Sequence, residues 1–198
     1  KNALFIPIIG EKFNGHHFAD QAIANGAIAL VWDEKEKLPT SIPEDFPIFY
    51  TKDTTKALQN LAAYYRREVD PIVIGITGSN GKTTTKDLVA SLMRTTYQTH
   101  ATEGNLNNHI GLPLTILSMP RHTEVLVLEL GMSDFGEIDL LTKISEPDVA
   151  IITNIGESHI EYLGSKEGIA KAKLEIINGM KNNGILIVDG DEPLLEQI

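Results

Sequence analysis

The run Gly78-Ser79-Asn80-Gly81-Lys82-Thr83-Thr84 follows an apolar, β-branched stretch, Ile72-Val73-Ile74-Gly75-Ile76-Thr77, and leads into a helical pattern. Polyphosphate binding needs that order. Glycines let backbone N–H groups curl around phosphate oxygens, and a helix N-terminus adds partial positive charge. In such a loop the Lys82 ammonium reaches the β- and γ-phosphates and the Thr83 hydroxyl ligates Mg²⁺. The pattern departs from G-x-x-x-x-G-K-[ST], because position 76 is isoleucine and Gly75 lies one residue early. A glycine turn capping an ordinary helix is the alternative. The apolar strand before the loop and the helix after it favour the phosphate reading.

Other positions carry chemistry of the same kind. Val125-Leu126-Val127-Leu128-Glu129 is an apolar strand ending in an acid. A carboxylate at the C-terminal edge of a parallel strand faces the crevice where ligands bind, and there it can hold a metal on a nucleotide. The alternative is a solvated strand-end glutamate. The next strand runs into Asn154-Ile155-Gly156-Glu157-Ser158-His159 at the same edge. His159 is then either a metal ligand or a solvated loop histidine.

Lys173 stands out by phase. Each helical residue advances about 100°, so with Ile169 at zero, Ala172, Ile176 and Ile177 bracket an apolar stripe and Lys173 falls inside it, near 40°. Lys171 and Glu175 lie on the polar face. A buried lysine must lose its charge or find a partner. Its neutral amine could bind nucleotide-associated anions, or react with CO₂ to give a carbamate, a new oxygen ligand for metal. Alternatively the stem snorkels to solvent. Phase alone leaves both readings open.

Two polar loops complete the set. Gly104-Asn105-Leu106-Asn107-Asn108-His109-Ile110-Gly111-Leu112-Pro113 opens a helix, and its amides can orient oxygen-rich substrates or serve turn chemistry. Gly10-Glu11-Lys12-Phe13-Asn14-Gly15-His16-His17-Phe18 is a similar loop. His16 and His17 are expected to be exposed there, with no partner spacing for a metal.

These residues need elements to position them. Strands are predicted at 4–9, 27–32 and 47–50, with helices at 18–25 and 53–67; the second shows the i, i+3, i+4, i+7 stripe of Leu58, Leu61, Ala62 and Tyr65. Asp70-Pro71 marks a boundary, since the residue before proline is pushed out of the helical region. Beyond it, strands are predicted at 72–77, 124–130, 148–153 and 184–188, alternating with helices at 82–94, 135–144 and 165–178. Apolar strands alternating with helices indicate a parallel sheet covered on both faces. The predicted architecture is α/β: a small α/β N-terminal domain at 1–70, then a P-loop-containing central domain with a mostly parallel sheet at 71–198.

Composition bounds the function. The 198 residues are 42% hydrophobic and 22% charged, with a net charge of −10. That is globular composition with room for a core. An acidic chain is a poor candidate for tracking nucleic acid. The absence of cysteine excludes disulfides, thiolate nucleophiles and cysteine-ligated metals. No apolar run approaches the roughly 20 residues of a membrane helix. A cytoplasmic protein is expected. Because the chain starts at Lys1 on what reads as a strand, a piece of something longer is also expected.

Taken together, Thr77 to Thr85 resembles the ATP loop of the Mur ligases, which commonly lacks the first glycine of the usual pattern. Gly104-Asn105-Leu106-Asn107-Asn108, Glu129-Leu130-Gly131-Met132, Thr153 to His159 and Gly168 to Lys173 are similar to motifs of the same family, as is Gly10 to His16. The resemblance extends over essentially the whole chain. It implies a first domain that binds the UDP end of a precursor, a central ATP-binding domain, and a third domain that is not represented here, so that the isolated chain would be inactive.

Within the family the motifs are most similar to those of the ligase that joins D-Ala-D-Ala to UDP-N-acetylmuramoyl tripeptide through an acyl phosphate, in peptidoglycan precursor synthesis. The implied cofactors are ATP and Mg²⁺, and the implied partners are those two small substrates, with no nucleic acid and no membrane span, in a monomer. By the same resemblance, Gly78, Ser79, Asn80, Gly81, Lys82, Thr83 and Thr84 bind the nucleotide. Thr83 and Glu129 hold one metal, while His159 and a carbamylated Lys173 hold a second. Lys82, Lys173 and His159 are catalytic, and Asn107 and Asn108 line the substrate pocket. The alternatives are a Mur-type ligase adding a single amino acid or glutamate, and an ATP-binding module without chemistry.

Overall fold

Apolar runs become parallel strands in both parts of the chain. The computed structural model describes residues 2–157 and 160–195. Two units compose it, Lys1–Asn60 and Leu61–Ile198.

The first unit contains β1 (Ala3–Phe5), a 3₁₀ turn (Gly15–Phe18), α1 (Ala19–Ala24), β2 (Ala27–Asp33) and β3 (Ile48–Thr51). The strands form a parallel sheet in the order β1-β2-β3, with Ala19, Leu30, Trp32 and Ile42 buried together. The predicted strand at 4–9 is shorter than expected. Pro7 has no N–H for a ladder, and the chain instead folds back, pairing Ile9 with Asn14 in an isolated antiparallel bridge. A Cβ on Gly15 would lie 2.6 Å from the Ile8 nitrogen, so only glycine permits this approach.

His16, expected to be exposed, is only 3% accessible. Its ring stands edge-on to Trp32 at 4.5 Å between centroids. Nε2 accepts the Asp33 N–H at 3.3 Å, and Nδ1 lies 2.8 Å from Asn14 Oδ1. The network therefore selects the Nδ1–H tautomer. Reading the loop as merely polar missed that this histidine fills the space beside the tryptophan.

Helix α2 (Thr54–Val69) carries the chain across the division between the units and ends at Asp70. The second unit follows with β4 (Ile72–Thr77), α3 (Lys82–Met93), β5 (Thr99–Ala101), α4 (Gly111–Ser118) and β6 (Val125–Glu129). It continues with α5 (Glu137–Ser145), β7 (Val149–Ile152), α6 (Ile160–Leu163), α7 (Lys166–Leu174), a 3₁₀ turn (Glu175–Gly179) and β8 (Ile185–Ile187). The sheet order is β5-β6-β4-β7-β8, and every pairing is parallel.

Side chains alternate along β6. Leu126 and Leu128 join Leu112, Ile116, Ile138, Leu141 and Ile169 on one face of the sheet. Val125 and Val127 join Ile74, Ile76 and Ala90 on the other. Each such side chain contributes about 1.5–3 kcal/mol when fully buried. The same parity puts Glu129 on the face of Val125 and Val127, which is the face that α3 covers.

The helix predicted at 165–178 is divided. Ser165 caps α7 by accepting the Gly168 N–H at 3.1 Å, and the chain tightens to 3₁₀ from Glu175. The Glu175 carboxylate there accepts the N–H groups of Gly136 and Asp139 at the start of α5. Helix α5 begins at Glu137 rather than at 135, because Gly136 sits at φ +81°, outside helical geometry.

Candidate active site

The phosphate loop grows directly out of β4. Gly78 has φ +148°, and a Cβ there would lie 1.9 Å from Thr153 Oγ1, so no larger residue fits. Gly81 has φ +76° and is the residue before α3. The loop is stitched to the segment after β7. Ser79 N–H donates to Asn154 O at 3.1 Å, and Asn80 N–H to Asn154 Oδ1 at 3.0 Å. Thr153 Oγ1 donates to Asn80 O at 2.6 Å, and Gly156 N–H to Ser79 Oγ at 2.8 Å. The segment after β7 thus holds the loop by these four hydrogen bonds. His159 lies outside the described residues.

Lys82, the first residue of α3, folds back so that Nζ donates to Gly78 O at 2.8 Å. Thr83 is next, and its hydroxyl donates to Glu129 Oε2 at 2.8 Å. Asn107 Nδ2 donates to the other oxygen, Oε1, also at 2.8 Å. Glu129 is 3% accessible. Its backbone N–H donates to Thr102 Oγ1 at 3.0 Å. Asn107 is fixed in turn, because the Gly131 N–H donates to its carbonyl at 2.8 Å. Thr84 is exposed in the first turn of α3.

Asn108 behaves differently from Asn107. Its Oδ1 accepts the N–H groups of Ile110 and Gly111 at 3.1 and 2.8 Å, an Asx turn that opens α4. A cavity of about 780 Å³ opens at this edge, lined by Lys82, Asn107, Asn108, Gly131, Met132 and Phe135 among others.

Lys173 is 2% accessible on α7. Burial pushes its pKa down from 10.5 to about 8, and the Lys82 charge pushes the same way. The two amines therefore share one electrostatic neighbourhood. The structure brings together Lys82, Thr83, Glu129 and Asn107 by hydrogen bonds or sequence adjacency, with Lys173 within electrostatic reach of Lys82. Asn108 joins them at the cavity wall while serving as a cap.

These groups suit a hard cation on a nucleotide. A hydroxyl and a carboxylate are oxygen donors of the sort magnesium prefers, and magnesium usually completes its shell with phosphates and water. Among the described residues no three His, Cys, Asp or Glu side chains cluster to hold a metal by themselves.

Sequence reasoning missed Lys86. It is 6% accessible, and Nζ donates to Thr102 O at 2.9 Å. The signal was available. Lys86, Val89, Ala90 and Met93 form an i, i+3, i+4, i+7 stripe, and the last three pack on the sheet. It is the same argument that singled out Lys173.

Two family profiles match the chain. "Mur ligase family, catalytic domain" covers residues 1–66, and "Mur ligase middle domain" covers 76–198. The UDP-N-acetylmuramoyl-tripeptide–D-alanyl-D-alanine ligase of Bacillus subtilis is 56% identical over 196 residues, covering 99% of this chain and 42% of that protein. The ligase of the same description from Escherichia coli is 41% identical over 188 residues, covering 95% and 40%. Among solved structures, the MurF ligase of Thermotoga maritima in complex with ADP has a TM-score of 0.89 at 37% identity, covering all of this chain and 45% of that one. MurF from Acinetobacter baumannii has a TM-score of 0.88 at 36% identity, covering 98% and 42%. The chain spans less than half the length of these relatives.

Proposed function

The chain belongs to the Mur ligase family, and from that premise we propose that it acts within an ATP-dependent ligase joining D-Ala-D-Ala to UDP-N-acetylmuramoyl tripeptide. The reading assigns residues 1–70 to a domain that binds the UDP end of the precursor and 71–198 to the ATP-binding domain. Its setting is the cytoplasm, where the nucleotide cosubstrates are. The observation that carries it is the Thr83–Glu129–Asn107 constellation beside Lys82 at the C-terminal edge of the sheet, in a chain similar at 56% identity to a ligase of that description.

The proposed first step brings a carboxylate against a polyphosphate. An oxygen of the tripeptide's terminal carboxylate attacks the γ-phosphorus, and ADP departs. Preorganised positive charge must offset their repulsion. The N–H groups of residues 78–81 and the start of α3 receive the phosphates. Lys82 exchanges its hydrogen bond to Gly78 O for the transferred phosphoryl group. Thr83 and Glu129 would hold the cation, with Asn107 fixing the carboxylate; the chemistry supplied there by magnesium would be neutralisation of charge on the phosphates. In the second step the dipeptide amine attacks the acyl carbon, the C–O bond to phosphate breaks, and the amine loses its proton.

Lys173 supports a further assignment. Burial, with the Lys82 charge beside it, pushes its pKa down to about 8 and so favours the neutral amine relative to an exposed lysine. A neutral amine can add to CO₂ and release a proton, giving a carbamate. In that form Lys173 would act with His159 at a second metal. Asn108 is assigned to the substrate pocket from its place in the cavity wall.

The test is phosphate release by the full-length protein given ATP, Mg²⁺ and UDP-N-acetylmuramoyl tripeptide. D-Ala-D-Ala should stimulate release, and single amino acids should not. Release with a single amino acid and none with the dipeptide rejects the assignment. ATP binding without any release supports a module without chemistry.

A further inference from the structure

Thr102 joins three elements. It follows β5 and begins the loop that carries Asn107, and it is 1% accessible. All three of its hydrogen-bonding groups are occupied. Its N–H donates to Val127 O at 3.0 Å, its Oγ1 accepts the Glu129 N–H at 3.0 Å, and its carbonyl accepts from Lys86 Nζ at 2.9 Å. The two side chains that meet at Glu129, its own carboxylate and the Asn107 amide, therefore both hang from chain segments anchored at this threonine.

A lysine is an expensive way to satisfy one buried carbonyl. Its charged end is desolvated, and its ion-pair partner Asp87, 2.5 Å away, is itself 65% exposed. An apolar residue would fit the stripe of Val89, Ala90 and Met93 more simply. Retaining a cation there needs a reason beyond packing. Lys86 lies one helical turn beyond Lys82, so α3 presents one amine to the phosphate loop and the next to the strand-end segment behind Glu129.

We propose that Lys86 is a positioning residue: through Thr102 it fixes the Glu129 carboxylate and the Asn107 loop, and so sets the affinity of the nucleotide site for its divalent cation. Groups that orient a metal ligand typically change metal affinity 10–100-fold when removed. The inference rests on the nucleotide reading above, and it adds a residue that makes no contact with nucleotide or metal.

The test uses the full-length protein loaded with ADP, with Mn²⁺ titrated and followed by electron paramagnetic resonance. Lys86→Met keeps the stem and removes the donor, leaving Asp87 in solvent. Thr102→Val removes the acceptor for the Glu129 N–H, and Thr102→Ser keeps it. Lys86→Met and Thr102→Val should each weaken Mn²⁺ binding about tenfold. Thr102→Ser should stay near wild type. ADP affinity measured in chelator should not move. The double variant should be little weaker than the worse single one, because both act along one path.

Mn²⁺ affinity within about twofold of wild type in folded Lys86→Met overturns the proposal, whatever its melting temperature and whatever Thr102→Val shows. Should Lys86→Met fail to fold, Lys86→Gln, whose shorter side chain does not span to the Thr102 carbonyl, is read by the same titration in its place. If the wild-type protein binds ADP but no Mn²⁺, the positioning role falls while the nucleotide reading stands. If it binds neither, and releases no phosphate, both fall.

Discussion

Thr83 Oγ1 and Glu129 Oε2 lie 2.8 Å apart, although 46 residues separate them in the chain. Helix α3 starts at the end of β4, β6 lies beside β4 in register, and the parity of β6 turns Glu129 toward α3. A parallel sheet thus converts two distant residues into one oxygen-donor pair. Glu129→Gln keeps the shape and removes the charge. It should lower kcat/KM for ATP by about 100-fold or more, with part of the loss recovered at high Mg²⁺. Retention of wild-type magnesium dependence would contradict the assignment.

Lys82→Met removes the charge proposed to meet the transferred phosphoryl group. The expected loss in kcat is about 10²–10³-fold, the usual size for one preorganised donor. ADP should still bind through the loop N–H groups, which calorimetry can measure. A loss of binding with no separate loss of turnover would point to a purely structural lysine.

Lys173 makes a prediction about stability as well as turnover. Its folded pKa of about 8 is below its ordinary 10.5. The unfolded chain therefore binds more protons between those values, and this group's contribution to stability rises with pH across that window. The full span is about 3 kcal/mol. In CO₂-free buffer, denaturant titrations at pH 8 and 10 should show this slope in wild type and a flatter one in Lys173→Met. Lys173→Ala should lose most turnover and regain part of it with added short carboxylic acids. An absence of rescue would remove the carbamate from the mechanism.

His16 takes up its proton at a lower pH than an unperturbed histidine. Burial lowers its pKa below 6.5, while Glu36 and Asp33 oppose that and His17 adds to it. The folded state then binds fewer protons than the unfolded one just below pH 6.5. Its stability is complete above that value and declines as pH falls through it. Melting midpoints at pH 7.5 and 5.5 should differ more for wild type than for His16→Gln. Equal differences would show that the ring does not titrate in this way.

Gly78→Ala sets a methyl group against Thr153 Oγ1 at a backbone angle that side chains rarely adopt. A destabilisation of about 1–3 kcal/mol is expected, read from urea unfolding. Gly81→Ala meets no neighbour within 4 Å, so only its φ of +76° opposes it, and its effect should be smaller. The reverse ranking would argue against the stitched cradle.

Much of this was legible in the sequence. The continuous apolar run of β4 matched its strand to the residue, and the phase of α7 put Lys173 in the apolar stripe while leaving open whether its amine is buried or snorkels to solvent; it is buried. What escaped was set by tertiary context. β5 is only Thr-His-Ala, too short and polar to signal a strand, and it exists because β6 offers an edge. Ile177 falls in the apolar stripe of a continuous helix, yet it is 40% exposed, because Glu175 caps a neighbouring helix and the coil tightens there. Asn107 and Asn108 are adjacent and chemically identical, and nothing in the sequence separated the residue that touches Glu129 from the one that caps α4. Lys86 was legible by the same wheel as Lys173 but carried no motif to draw attention to it.

The central claim is that a carboxylate oxygen is phosphorylated at the Lys82–Thr83–Glu129 site before the amide forms. Labelling the terminal carboxylate of the UDP-tripeptide with ¹⁸O and analysing the released phosphate by mass spectrometry tests it directly. The account predicts one labelled oxygen in each phosphate released by the full-length protein, and negligible labelled phosphate from Lys82→Met. Unlabelled phosphate accompanying amide formation would contradict it.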